Sequence, residues 1–168
     1  YLDVYDTVRA TRVIEEYIND LSTWYVRRSR GREDISFFAT LHDTLLKASQ
    51  VIAPFMPYLA EVLHSNLKEG NESVHLTDWP KSEKLTKEEE TILGEMREAR
   101  RLASLVLAKR AEAGIKVRQP LSRISTTAAF SKGFGIYEII KDEVNVKEIV
   151  FNKDLKEEVE LDTEITHE

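Results

Sequence analysis

Apolar residues recur every three or four positions through the first half of the chain. Val4, Val8, Thr11, Ile14, Ile18, Leu21 and Tyr25 fall on one face of a helix, with acids and arginines on the other. Gly31 predicts its stop, because glycine accepts left-handed backbone beyond a helix end. A second helix carries Phe38, Leu41, Leu45, Ala48 and Ile52 on one face, with Asp34 and Ser36 as candidate caps. Pro54 and Pro57 cannot donate backbone hydrogen bonds, so this helix ends near Ala53 and a third begins. Tyr58, Leu59, Val62, Leu63 and Leu67 form the third stripe, closed by Gly70 and Asn71.

The run SVHLTDWPKSEKLT has no helical period and reads as a linker, with the Trp79 indole docked back on the bundle. A fourth helix extends from about Lys87 to Ala113, with Ile92, Met96, Ala99, Ala103 and Val106 inward and Gly114 at its close. Beyond Gly114 the period changes. Leu121–Thr127 reads as a strand and Lys132–Glu143 as a short helix. Val146–Asn152 reads as a second strand. Glu158–Ile165, with Val159, Leu161, Thr163 and Ile165 alternating, reads as a third. The predicted fold is mainly α. A helical bundle and its linker occupy residues 1–80, and a long helix with a small α+β strand–helix–strand unit occupies 81–168.

Composition narrows the function classes. A chain of 168 residues with 42% apolar and 32% charged residues can bury a core. It has no cysteine, which excludes disulfides, a thiol nucleophile and cysteine-ligated metal within these residues. The apolar stretch Val51–Leu63 contains two prolines and Glu61 and is too short to span a bilayer. No basic-then-apolar leader follows Tyr1, so the chain reads as a cytosolic, soluble piece cut from something longer, with no membrane partner.

The net charge of −6 hides an uneven distribution. Trp24–Arg32 holds four arginines and no acid, and Glu95–Arg123 holds eight basic residues against three acidic ones. Asp142–Glu168 holds ten acids against three lysines.

Catalytic chemistry is sparse. His42, His64, His75 and His167 show no metal-ligand spacing and no neighbouring nucleophile. No glycine-rich phosphate loop occurs, and Glu88-Glu89-Glu90 reads as a helix start that complements the helix dipole. No catalytic, metal or cofactor site is therefore expected in this chain. Two segments suit nucleic acid instead. In WYVRRSRGR, Arg27, Arg28, Arg30 and Arg32 can bind phosphate, and Trp24 or Tyr25 can stack on an unpaired base. Arginines at a helix C-terminus also offset its dipole, and the aromatics also suit a core. In AGIKVRQPL, Lys116 and Arg118 lie in an extended run between helix and strand, where they can reach a ligand or serve as a charged connector.

The strings LSTWYVRRSRGR, VIAPFMPYLAEVLHSNL, SVHLTDWP, AGIKVRQPL and DEVNVKEIV occur in that order. Together they closely resemble the C-terminal anticodon-binding region of isoleucyl-tRNA synthetases of class I, from about Tyr5 to Phe151. The first three are shared loosely with the valyl, leucyl and methionyl enzymes. GIKVRQPL combined with NVKEIV points to the isoleucyl branch.

The resemblance implies a role in protein biosynthesis. Such enzymes are ligases that join isoleucine to its tRNA with ATP and Mg. Their His-Ile-Gly-His and Lys-Met-Ser-Lys-Ser signatures are absent here, and Lys81-Ser-Glu-Lys does not match the second. The implied catalytic and editing domains lie upstream, one helix of the bundle precedes this region, and some members end in a zinc module. The implied partners are the anticodon arm of tRNA(Ile) and the catalytic domain of the same chain. Arg27, Arg28, Arg30 and Arg32 would contact phosphates, Trp24 or Tyr25 would stack, and Lys116 and Arg118 would form a second contact where bundle and strand unit join. A protein-interaction or interdomain docking module without RNA contact is the alternative, as is the same domain of a valyl or leucyl enzyme.

Overall fold

The computed structural model describes residues 1–70 and 72–162, with Lys132 described by its backbone alone. The chain divides into two compact units, Tyr1–Glu83 and the residues from Lys84 onward. It is mainly α, with a helical first unit and a small three-stranded sheet in the second.

In the first unit, helix α1 runs over Thr7–Asp20. Asp6 caps it by accepting the Arg9 backbone N–H at 3.0 Å. The helix starts later than the apolar period suggests. Val4 belongs to a 3₁₀ turn, Leu2–Val4, closed by Tyr5 with φ 55. The predicted stripe is also largely uncovered. Ala10 is the buried residue of α1, while Val8, Val13, Tyr17 and Ile18 are exposed.

Helix α2 runs over Ile35–Ile52, and Asp34 is its cap, accepting the Phe37 N–H at 2.9 Å. Ser36 is not the cap; its hydroxyl donates to Asp34. Phe37 is buried and Phe38 is more than half exposed, so the inward face begins one residue before the one predicted. Helix α3, Pro57–Leu67, opens with proline where a missing N–H is harmless. Its inward face is also rotated from the predicted one. Ala60 and His64 are buried, while Tyr58, Leu59 and Val62 are exposed. The cause is a polar pair between helices: His64 Nδ1 lies 3.2 Å from Ser49 Oγ on α2.

The segment after α3 is pinned, not loose. Glu61 accepts hydrogen bonds from the Ser73 hydroxyl at 2.8 Å and the Val74 N–H at 3.0 Å. Val74 then closes a small core with Ile52, Ala53 and Ala60, and Ile14 packs against it. Trp79 lines a hollow with Gln50, Ala53 and Pro54, yet remains 53% exposed, so its docking is partial.

In the second unit, helix α4 spans Lys87–Glu112. Thr86 and Glu89 form a reciprocal capping box, with N–H to oxygen distances of 2.7 and 3.2 Å. Gly114 ends it with φ 72. Strand β1 (Leu121–Thr126) is central, β2 (Val146–Phe151) is its parallel neighbour and β3 (Val159–Leu161) its antiparallel one. Helix α5 (Ile136–Val144) makes the crossover from β1 to β2. It begins after Gly135, later than predicted, because Lys132–Phe134 forms a separate 3₁₀ turn.

The register sets Ile124 beside Ile149 and Leu161. That face packs with Ala99, Leu102, Ala103 and Val106 of α4 and Ile136, Ile140 and Val144 of α5. Of the predicted third strand, Thr163 and Ile165 lie outside the described residues, as does His167. Among the described residues no helix is long and apolar enough to cross a membrane.

Candidate nucleic-acid interface

The basic cluster of the first unit follows a change of helical pitch. After Asp20 the chain continues as a π-helical stretch, Leu21–Val26. Widening the helix shifts the angular position of every later side chain, so the 3.6-residue period no longer places Trp24, Tyr25 and the arginines. The turn then tightens. The Ser29 N–H reaches Tyr25 O at 3.0 Å, the Arg32 N–H reaches Ser29 O at 3.0 Å, and Gly31 reverses the chain with φ 83.

This geometry gathers two guanidiniums around one indole. The Arg27 and Arg28 guanidinium carbons lie 5.9 and 5.6 Å from the Trp24 ring centroid. Arg27 Nε also donates to Thr23 O at 2.7 Å, which holds its fork near the helix end. Arg30 is exposed on the next turn. Arg27 is exposed and Arg28 half-buried, and guanidiniums beside an indole are a combination suited to phosphate and base faces.

Tyr25 and Arg32 sit differently. The Tyr25 ring packs on Phe37 at 5.9 Å, and Phe37 meets Phe38 at 5.2 Å, so Tyr25 belongs to an aromatic row joining the two helices. Arg32 makes a two-pronged bond to Asp34, Nε to Oδ2 at 2.8 Å and Nη2 to Oδ1 at 2.9 Å. The same guanidinium lies 5.7 Å from the Phe37 ring centroid. The Arg32 guanidinium, with help from Ser36 and the Phe37 N–H, holds the Asp34 carboxyl well below the usual carboxylate range. Arg32 is thus engaged in starting α2.

Lys116 and Arg118 belong to the second unit. The segment between α4 and β1 is a compact turn and not the extended run predicted, because the Gln119 N–H bonds to Lys116 O at 3.0 Å. Lys116, Val117 and Arg118 are exposed at its tip. Beneath it lie two residues that sequence reasoning passed over. Arg110 is fully buried and its Nη2 donates to Lys116 O at 2.6 Å and also to Gln119 O. Asn145 Nδ2 donates to Val117 O at 2.8 Å. A signal for Arg110 was present: it follows Ala99, Ala103 and Val106 on the inward face of α4, where a charge is out of place.

The first unit thus carries an arginine–tryptophan cluster at the end of its first helical segment, and the second carries an exposed basic turn between α4 and β1. Comparison with known proteins specifies the class. The family model described as the anticodon-binding domain of tRNA ligase matches residues 1–125, and the chain belongs to that family. An isoleucine–tRNA ligase of Clostridium tetani is 36% identical over 96% of this chain, which spans 17% of that protein. Those of Deinococcus radiodurans and Thermus thermophilus are each 37% identical, over 89% and 88% of this chain and 15% and 16% of their own length. The chain therefore spans about a sixth of the length of the curated relatives it matches.

Proposed function

We propose that this chain holds the anticodon arm of tRNA(Ile) and positions it for ATP-dependent isoleucylation by a catalytic domain of the same cytoplasmic parent enzyme. The observation that carries the reading is the pair of guanidiniums on the Trp24 ring at the end of the first helical segment. Arg27, Arg28 and Arg30 contact phosphates, which orient RNA without reading its sequence. Trp24 offers a ring for a splayed base. Lys116 and Arg118 supply a second contact. Tyr25 and Arg32 act mainly by fixing the helix junction beside the cluster. ATP and Mg are the parent's reactants. The described residues include no group of three His, Asp or Glu side chains able to hold a metal ion, and no step here runs through either reactant.

The test is binding of the chain to two tRNA transcripts, one with the isoleucine anticodon and one with it replaced, at three salt concentrations. Five phosphate contacts, from Arg27, Arg28, Arg30, Lys116 and Arg118, predict a slope of log affinity against log salt of roughly −3.5 to −4.5. Replacing Arg27 and Arg28 by glutamate is expected to weaken both complexes at least tenfold with the helical signal intact. A flat salt response would overturn the phosphate clamp. Preference for the isoleucine anticodon supports tRNA(Ile) over valine or leucine tRNA.

A second reading has its own observation. Ile18 of α1 is exposed beside a largely apolar groove that it lines with Ile14, Ile52, Phe55 and Met56, which suits docking on another domain. Absence of tRNA binding at any salt would favour it.

A further inference from the structure

Arg110 is an expensive side chain for its position. It is 0% exposed, and its Nε and Nη1 are buried without a hydrogen-bond partner among the described residues. Burial alone pulls its pKa below the ordinary guanidinium value. A buried cation with unmet donors costs stability, and an apolar side chain of similar length would serve the α4 core better. What the guanidinium does accomplish is local. One nitrogen, Nη2, reaches two carbonyls of the following turn, Lys116 O and Gln119 O. Asn145 holds the same turn from another direction, donating to Val117 O, while its own carbonyl accepts the Leu121 N–H at 3.1 Å. Asn145 can do this because it ends α5 in the left-handed region, with φ 52. Three of the turn's carbonyls are thereby drawn inward, and the side chains of Lys116 and Arg118 are left exposed.

We propose that Arg110 and Asn145 are positioning residues that clamp the Lys116–Gln119 turn from two sides and so fix Lys116 and Arg118 as an RNA-contacting surface. The clamp is read from geometry; its purpose rests on the RNA-binding function proposed above. A cation lost from a rigid turn costs its own contact, whereas a loosened turn costs both contacts together and must order them again on binding.

Two measurements test this separately. Amide hydrogen exchange on the free chain reads the clamp. Asn145→Gly, which keeps the positive φ without strain, and Arg110→Met are each expected to speed exchange of the Gln119 and Leu121 amides at least tenfold, with the Val106 and Ile140 amides unchanged. Arg110→Lys is expected to restore much of that protection, because one ammonium can donate to both carbonyls. If Arg110→Met does not fold, Asn145→Gly decides alone. Unchanged exchange at Gln119 would overturn the clamp. Binding to the tRNA transcript reads the purpose. Asn145→Gly is expected to match the loss caused by Lys116→Gln with Arg118→Gln, to make the salt slope shallower by about 1.4 at about 0.7 per contact, and to add nothing once both cations are neutralised. An undiminished loss in that neutralised background would show Asn145 acting elsewhere. Wild-type binding by the neutralised variant would overturn the RNA role of the turn, with the exchange result still deciding the clamp.

Discussion

The two units hold together by different means. In the second, eleven buried apolar side chains from α4, α5 and the sheet, with Phe130 from the β1–α5 loop, form one cluster. In the first, four residues form the cluster, and Ile14 is what α1 adds to it. An open apolar groove of about 790 Å³ runs along α1, lined by Ile14, Ile18, Ile52, Phe55 and Met56. Where apolar volume is short, the first unit relies on directed polar contacts: Asp34 at the start of α2, Ser49 with His64 between α2 and α3, and Glu61 on the Ser73–Val74 backbone. The difference teaches where each kind of substitution should be felt. Volume matters in the second unit, and hydrogen-bond geometry matters in the first.

The largest effect should come from Leu102→Ala. Leu102 is 0% exposed in the second cluster, and such truncations cost about 2–5 kcal/mol. Val8→Ala on the exposed face of α1 should stay within about 0.5 kcal/mol. Both tryptophans, Trp24 and Trp79, lie in the first unit. Indole fluorescence in a urea titration therefore reports that unit, while far-ultraviolet dichroism reports both. Leu102→Ala should move the dichroism transition and leave the fluorescence midpoint in place. Equal costs for the two substitutions would break the comparison by showing the α1 face to be covered.

Next in size is Ser49→Ala. It removes a hydroxyl that lies 2.6 Å from Leu46 O and 3.2 Å from His64 Nδ1. His64 is 1% exposed and its Nε2 already lacks a partner among the described residues. Stranding a second ring nitrogen should cost about 1–3 kcal/mol, read as a fall in the fluorescence midpoint. Ser65→Ala on the exposed side of α3 is the control and should change little. Identical behaviour of the two variants would mean that the first unit does not depend on the buried polar pair.

The legible parts of the sequence were those written in one short-range signal. Helix stops at Gly31 and Gly114, the break before Pro57, the helix start near Lys87 and the strand–helix–strand order all follow from single residues or a clear period. What escaped depended on a partner distant in sequence or on a change of pitch. The inward face of α3 could not be placed because a histidine, not a leucine, meets α2. Trp24 and Tyr25 could not be told apart because a π-helical stretch turns one toward two arginines and the other toward Phe37. The turn at Lys116–Gln119 was hidden because Arg110 on α4 and Asn145 at the end of α5 hold its carbonyls from outside the turn itself.

The smallest effect sharpens the comparison through pH, and it concerns Asp34. Its carboxyl is depressed first by the Arg32 guanidinium and then by Ser36 and the Phe37 N–H. An acid whose folded pKa lies below its unfolded value of about 3.9 stabilises the fold above that pH and loses the contribution as pH falls through and below it. Asp34→Asn keeps an oxygen for the cap and removes the charge. At pH 7 the variant should have a slightly lower fluorescence midpoint than the wild type, and the gap should narrow as pH drops from 5 to 3. Because the pair is solvent-exposed, the gap should also shrink in high salt. A gap independent of both pH and salt would mean that Arg32 is not held by the Asp34 charge. Arg32 would then join Arg27, Arg28 and Arg30 in the set available to phosphate, and the salt slope of tRNA binding should steepen by about one contact, roughly 0.7.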